Sequence, residues 1–173
     1  MSFMELSDFT AMLHLDYLSL EEEFSSQTDL FTTVAERLQA FNLVTDAYLP
    51  ALLTREKDFP TGLDPAHCHI AIPHLDASFH SKAFLYFCRL KEPLSFTKMG
   101  SKTEQLPVKL VFFLGFTNPQ SQLRVLQRLM ILFQRSDALS TLSTTNSQAE
   151  IFNLLYVALA EPSRKDGQRH EIS

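Results

Sequence analysis

The sequence predicts an α/β fold in which helices pack against a mixed β-sheet. Residues 82–90 and 108–116 are two strongly apolar segments, typical of strands that are covered on both faces. Around them lie segments whose apolar residues recur at helical spacing. The chain has 173 residues, 45% of them hydrophobic and 20% charged, which suits one domain with a real core. We expect the domain to span residues 1–160 and residues 161–173 to form a flexible tail.

The strands are expected in the following order. Residues 9–21, where apolar and polar residues partly alternate, predict a first strand. The segment "FPTGLDPAH" carries two prolines and a glycine and predicts a loop. It leads into residues 69–74, "HIAIPH", a short strand that ends at Pro73 because proline lacks an amide donor. The two long apolar strands follow, and the polar residues 91–105 between them suit a hairpin.

Apolar spacing and capping residues predict the helices. The segments with this pattern are residues 27–44, 46–59, 117–134, 136–144 and 146–160. Side chains that accept a hydrogen bond from the amides of the first turn favour a helix start. The candidate capping residues are, in chain order, Thr28 or Asp29, Asp46, Thr117 or Asn118, and Ser147 with Glu150.

Composition and charge exclude several classes of protein. The net charge of −5 and the absence of a basic block argue against general binding of nucleic acid. The longest apolar segment, residues 108–116, is far shorter than the ~20 residues of a membrane helix, so no direct membrane insertion is expected. The N-terminus does not resemble a secretory signal. Cys68 and Cys88 make no disulfide framework, and Cys88 is expected in the core. We therefore expect a cytoplasmic protein with reduced thiols.

A cluster of histidine and cysteine lies in the segment "FPTGLDPAHCHIAIPHLD". His67, Cys68, His69 and His74 are all competent Zn²⁺ ligands. However, no second CxxC or HxxxH pair completes a site, so a metal-binding module is the less favoured alternative. Cys68 lacks the local signature of a cysteine hydrolase or a redox dithiol.

His74 follows directly on a strand that ends in proline, at the edge of a packed scaffold. Imidazole is a nucleophile towards phosphorus, and the phosphohistidine it forms is a transferable group. Such a carrier needs one ring nitrogen free to attack, the other held by a hydrogen bond, and donors for the phosphoryl oxygens. From spacing alone, a histidine that only satisfies its hydrogen bonds at a strand end is the more common case.

The residues around His74 match a known pattern. The segment "TREKDFPTGLDPAHCHIAIPH" resembles the active-site region of EIIA domains of the fructose–mannitol superfamily, components of the phosphoenolpyruvate-dependent sugar phosphotransferase system. The matches are Arg55 with Glu56, Thr61 with Gly62, and residues 70–74. "REKDFPTGL", "HIAIPH" and "NPQSQLRVLQRLM" are most similar to the galactitol-specific branch. In element order the resemblance extends over residues 12–160.

This resemblance implies a mannitol/fructose-type α/β sandwich and a phosphocarrier. His74 would accept a phosphoryl group from phospho-HPr and pass it to a cysteine of EIIB, while the membrane component EIIC admits the sugar. No cofactor is implied. Arg55 matches the family arginine, whose guanidinium offers paired donors to phosphoryl oxygens. Gln122 stands where many mannitol-type relatives have a second histidine; it can donate a neutral hydrogen bond but cannot become a cation.

Two questions stay open at this level. A regulatory EIIA-like protein would share the same histidine chemistry, and the sequence does not identify the sugar. Docking on HPr and EIIB calls for apolar residues around His74, and the candidates are Phe59, Leu63, Leu75 and Phe79. Asp76 and His80 lie near enough in sequence to orient the ring of His74, but only this nearness supports such a role.

Overall fold

The computed structural model describes residues 9–65 and 68–160. Its centre is a five-stranded mixed sheet in the order β1-β4-β5-β3-β2. The strands are β1 Leu18–Glu22, β2 Gly62–Leu63, β3 Ile70–Ala71, β4 Phe84–Thr97 and β5 Gln105–Gly115. The pairs β1–β4 and β3–β5 are parallel, whereas β4–β5 and β2–β3 are antiparallel. The predicted mixed sheet is confirmed.

Helices cover both faces of this sheet. They are α1 Gln27–Ala40, α2 Tyr48–Asp58, α3 Pro119–Phe133, α4 Ser136–Thr144 and α5 Gln148–Ala160. Successive side chains of a strand point to opposite faces. Phe84 and Tyr86 of β4 therefore pack with α1 and α2, whereas Leu85 and Phe87 pack with α3, α4 and α5. This alternation produces two separate cores, one on each side of the sheet.

Two of the predicted helix caps are wrong. Helix α1 begins after Ser26, whose hydroxyl accepts a hydrogen bond from the Asp29 amide at 3.0 Å. Thr28 and Asp29 are thus inside the helix, because its first turn starts before the first apolar residue. Helix α2 begins after Ala47, which makes no side-chain capping bond, so Asp46 is not its cap.

The predicted caps of α3 and α5 agree better with the structure. Asn118 caps α3, as predicted, and its side chain accepts from the Ser121 amide at 2.8 Å. At the start of α5 the Glu150 amide donates to the Ser147 hydroxyl at 3.2 Å. The Glu150 carboxylate, however, accepts from Thr145 at 2.7 Å, so the reciprocal half of the capping box is made with a different residue.

The strands differ from the prediction at three places. Of residues 9–21, predicted as the first strand, only the last part lies in β1; Leu15–Tyr17 form a short 3-10 helix, because the His14 side chain accepts from the Asp16 amide and starts a turn there. The short strand β2 lies within the segment predicted as a loop, where it pairs with β3. Strands β4 and β5 extend well into the predicted hairpin of residues 91–105, which leaves only residues 98–104 as the connection. In this extension Phe96 and Leu106 are buried and lie opposite each other on the two strands, and such a cross-strand pair stabilises the sheet.

Some predictions concern parts of the chain that are not described. The tail of residues 161–173 and the side chain of His67 lie outside the described residues. Within residues 9–65 and 68–160, no helix is both long enough and apolar enough to cross a membrane.

Candidate active site

His74 lies at the carboxyl end of β3, beside the carboxyl end of β5. The register that pairs Ile70 with Leu110 continues to His74, which forms an isolated bridge with Leu114. The Leu114 amide donates to the Pro73 carbonyl at 3.1 Å, so the chain stays attached to β5 although proline gives no donor of its own. The sheet thereby holds the backbone of His74 in place, and the residue is only 9% exposed.

The imidazole of His74 is fixed by its δ nitrogen. Nδ1 lies 2.7 Å from the Ile72 carbonyl oxygen. A carbonyl only accepts, so Nδ1 carries the proton and Nε2 keeps its lone pair in the neutral ring. The Phe116 ring packs edge-on against this imidazole with centroids 6.1 Å apart. Burial, aided by the charge of Arg55, lowers the pKa of His74 below its usual value and so favours this neutral form at pH 7.

Arg55 provides the positive charge of the site. It lies in the last turn of α2, where the helix dipole favours a cation. One guanidinium nitrogen is 3.7 Å from an Asp76 carboxylate oxygen, and the guanidinium lies over the Phe59 ring at 4.9 Å. Neither contact uses all five donors of an arginine. Arg55 can therefore donate to an anion that is formed near His74.

Glu56 and Gly62 explain the spacing of the Arg-Glu and Thr-Gly pairs. The buried Glu56 carboxylate accepts from the Thr61 amide and hydroxyl at 2.9 Å each. A Cβ on Gly62 would lie 2.6 Å from the Thr97 carbonyl oxygen, so only glycine fits at this close approach. The Gly62 carbonyl accepts from the Met99 amide at 2.8 Å. These bonds tie the end of α2 to the sheet and so position Arg55.

A groove of about 680 Å³ lies next to Arg55, between α2 and the residues that follow His74. Phe59, Leu75 and Phe79, three of the four residues suggested for docking, line it, and Phe59 is 63% exposed. Leu63 does not line it; this side chain packs into the core beneath α3, α4 and α5.

The other histidine and cysteine candidates do not converge on one point. His69 lies 3.0 Å from an Asp64 carboxylate oxygen, and the Cys68 sulfur lies 3.8 Å from the Ser143 hydroxyl. Burial raises the pKa of Cys68, which disfavours the thiolate. Among the described residues, no group of three or more potential ligands is arranged to hold a metal ion. Cys88 is fully buried, as expected.

Gln122 lies in the first turn of α3, half-buried, a few residues beyond the end of β5. Within the described part of the chain its side chain makes no hydrogen bond to another residue. The structure therefore leaves its amide available, with no hydrogen bond between Gln122 and His74.

In the sequence, only the nearness of His80 to His74 supports a role for it in orienting the His74 ring. In the structure its Nδ1 donates to the Phe116 carbonyl at 3.0 Å. Its ring also packs against Tyr48 and Phe84, with centroids 5.9 and 5.6 Å away. The contact with Phe116 joins residues 36 positions apart, so no local pattern indicates it.

Comparisons with known proteins bear on the family and the fold of the chain. A family model described as "Phosphoenolpyruvate-dependent sugar phosphotransferase system, EIIA 2" matches residues 11–157. The galactitol-specific EIIA component of Escherichia coli K12 is 31% identical over 121 residues, which cover 70% of this chain and 80% of that protein. The nitrogen regulatory protein IIA-Ntr of Neisseria meningitidis is 28% identical with a TM-score of 0.70, over 84% of this chain and 97% of that one.

The mannitol-specific enzyme IIA of E. coli, solved in complex with phosphorylated enzyme IIB, has a TM-score of 0.68 at 23% identity. The match covers 83% of this chain and 96% of that one, and it shows that the two share a fold. The α/β domain described above thus has the fold of the mannitol-type enzyme IIA. The chain belongs to the EIIA 2 family of the phosphoenolpyruvate-dependent sugar phosphotransferase system.

Proposed function

We propose that this protein is the EIIA phosphocarrier of a galactitol-type sugar phosphotransferase system and acts in the cytoplasm. It takes a phosphoryl group from phospho-HPr onto Nε2 of His74 and passes it to a cysteine of EIIB. The observation that carries the proposal is the hydrogen bond of Nδ1 to the Ile72 carbonyl, which leaves Nε2 as the nucleophile. The 31% identity to a galactitol-specific EIIA component supports the choice of branch.

In both phosphoryl transfers the bonds formed and broken balance without a cofactor. The Nε2 lone pair forms a bond to phosphorus as the bond from phosphorus to the donor histidine of HPr breaks, and the donor takes that electron pair. The new phosphoimidazole carries its proton on Nδ1, where the Ile72 carbonyl stabilises the partial positive charge. In the second transfer the thiolate of EIIB attacks phosphorus, and His74 returns to its neutral form.

Arg55 and Gln122 are proposed to stabilise the phosphoryl oxygens. Arg55 supplies charge and paired donors from the end of α2. Gln122 supplies a neutral donor from the first turn of α3. Because Gln122 is not titratable, it takes no part in proton transfer.

HPr and EIIB are proposed to dock in turn on the groove next to Arg55. Its apolar residues, above all the exposed Phe59, exclude water from the phosphoryl group during transfer. The likeness to an enzyme IIA solved with its phosphorylated enzyme IIB supports the use of this fold in such a complex. EIIC is reached only through EIIB.

The test is the intact mass of the protein after incubation with phosphoenolpyruvate, enzyme I and HPr. We expect one acid-labile phosphoryl adduct on the wild type and on His69→Ala, a control in the same segment, but none on His74→Ala. An adduct that persists in His74→Ala, or a wild type that stays unmodified beside verified phospho-HPr, would refute the proposal.

A regulatory role is the second candidate, and the likeness to IIA-Ntr of N. meningitidis favours it. Both candidates need the phosphoryl group on His74. They differ in the next step, because a transport component must discharge to EIIB. Loss of the adduct on addition of a galactitol-type EIIB supports transport, whereas an adduct that is stable to EIIB supports regulation.

A further inference from the structure

His80 is fixed at the centre of a set of contacts close to His74. Its backbone bridges to Val44, and its ring packs edge-on against Tyr48 and Phe84. The Phe116 carbonyl can only accept, so the hydrogen bond of 3.0 Å places the proton of His80 on Nδ1. Burial lowers the pKa of His80 and keeps this donor in its neutral tautomer at pH 7.

Phe116 connects His80 to the reactive ring. Its carbonyl is held by His80, and its side chain, fully buried, packs against the imidazole of His74. It stands two residues beyond Leu114, the last point at which β5 is bonded to the segment of His74. Beyond Leu114 the pairing between β5 and the segment of His74 ends, and the Phe116 carbonyl takes its hydrogen bond from the side chain of His80.

We propose that His80 is a positioning residue for His74: by holding the Phe116 carbonyl it keeps the Phe116 ring against the imidazole and preserves its single orientation and tautomer. The proposal rests on the proposed function of His74, to which it adds the residue that aligns the nucleophile. A nucleophile displaced by a fraction of an ångström loses in-line geometry and therefore rate.

Two substitutions of nearly equal size separate hydrogen bonding from packing. His80→Asn places an amide donor close to the position of Nδ1 and can still reach the Phe116 carbonyl. His80→Leu fills the same space without a donor. Should His80→Leu fail to fold, His80→Gln replaces it, because its amide falls near the position of Nε2 and away from Phe116.

The first readout is the ¹⁵N spectrum of the His74 ring in the unphosphorylated protein. Wild type and His80→Asn should show one tautomer, with the proton on Nδ1, whereas His80→Leu should show a mixture with the other tautomer. This measurement involves no phosphoryl transfer, so it tests the positioning role even if the proposed function fails. Wild-type His74 signals in His80→Leu would overturn the inference.

The second readout is the rate of phosphoryl uptake from phospho-HPr. We expect a fall of roughly tenfold in the maximal rate for His80→Leu, little change in the HPr concentration at half-maximal rate, and recovery in His80→Asn. A purely structural role would lower the amount of folded protein without this recovery. Equal losses in the Asn and Leu variants would also overturn the inference, because they would show that the donor to Phe116 is irrelevant.

Discussion

Arg89 and Arg55 are two arginines that the same fold uses in different ways. Arg89, in the middle of β4, is 2% exposed. Its Nε donates to Glu21 at 2.8 Å, and its Nη1 donates to both the Leu142 and the Thr145 carbonyls, at 3.1 and 2.6 Å. Arg55 is far more exposed and has one long ion pair, with Asp76.

The difference separates an arginine that holds the fold together from one that fits the role proposed for Arg55. Two of the bonds of Arg89 satisfy carbonyls at the end of α4, which have no partner within the helix. Its donors are committed to the fold. Arg55 retains donors and lies close enough to His74 for its charge to act on the ring. A basic side chain with uncommitted donors beside a nucleophile is what an incoming phosphoryl group requires.

The largest effect is expected from Arg89→Met. The substitution removes the donor of the buried Leu142 carbonyl, of the part-buried Thr145 carbonyl and of the Glu21 carboxylate, and we expect a loss of about 3 kcal/mol in the free energy of unfolding. Urea denaturation measures it. Phosphoryl uptake per folded molecule should be unchanged. If the stability is unaffected, the bonds at the end of α4 do not matter, and the contrast between the two arginines fails.

Arg55→Met is the matched substitution at the site. We expect phosphoryl uptake to slow by roughly a hundredfold, which corresponds to about 2.7 kcal/mol of transition-state stabilisation. Stability should change little, because an exposed pair with Asp76 is worth at most about 1 kcal/mol. Stopped-flow or quench kinetics with phospho-HPr provide the rate.

The same variant has a second readout in the pH dependence. The protonated ring of His74 cannot attack, so uptake falls as the pH drops through its pKa. Burial is the main reason why this pKa lies below the usual value, and the Arg55 charge contributes. Removal of that charge should move the inflection of the rate profile to higher pH. An unmoved inflection would show that Arg55 acts only on the phosphoryl oxygens.

The place of Arg55 in a motif with His74 could be predicted from the sequence, whereas the contacts of Arg89 could not. The motif that runs from Arg55 to His74 is local, and the strand ending at Pro73 can be recognised from a few residues. Arg89 stands in an otherwise apolar strand, and its partners lie 53 to 68 positions away in the chain. Such contacts depend on how distant elements pack, and periodicity holds no information on them.

The helix caps show the same limit on a smaller scale. Ser26 and Asp29 both accept backbone hydrogen bonds at the start of α1, and composition ranks them equally. Only the backbone conformation selects Ser26. The sheet was predictable because alternation and strongly apolar runs extend over many residues, so a local ambiguity does not change the outcome.

Glu56 extends the comparison of the two arginines to a buried acidic group. Its carboxyl group accepts hydrogen bonds from the neutral donors of Thr61 and not from a cation. Burial raises its pKa from 4.5 to about 7, against the hydrogen bonds of Thr61. The unfolded chain loses this proton near pH 4.5 and the folded chain near pH 7, so the folded state binds more protons in between. Stability contributed by Glu56 therefore falls as the pH rises from 4.5 to 7.

We expect Glu56→Gln to be more stable than the wild type by roughly 2 kcal/mol above pH 7, and this advantage should vanish near pH 4.5. The amide keeps an acceptor for the Thr61 amide and has no charge to bury. Urea denaturation at several pH values measures the difference in stability between the two proteins. His74 and His80 contribute a pH dependence of opposite sign below pH 6.5, but they are present in both proteins, so their contributions cancel in this difference. A difference independent of pH would mean that Glu56 stays ionised.

The smallest effect is expected at Gln122. In the described part of the chain its side chain makes no hydrogen bond, so Gln122→Ala should leave stability unchanged. One neutral donor to a phosphoryl oxygen predicts a fall in uptake of about threefold, or roughly 0.6 kcal/mol. Gln127→Ala, an exposed position on the same helix, is the control. A loss as large as that of Arg55→Met would place Gln122 beside Arg55 as a principal ligand of the phosphoryl group, whereas no loss would leave that role to Arg55 alone.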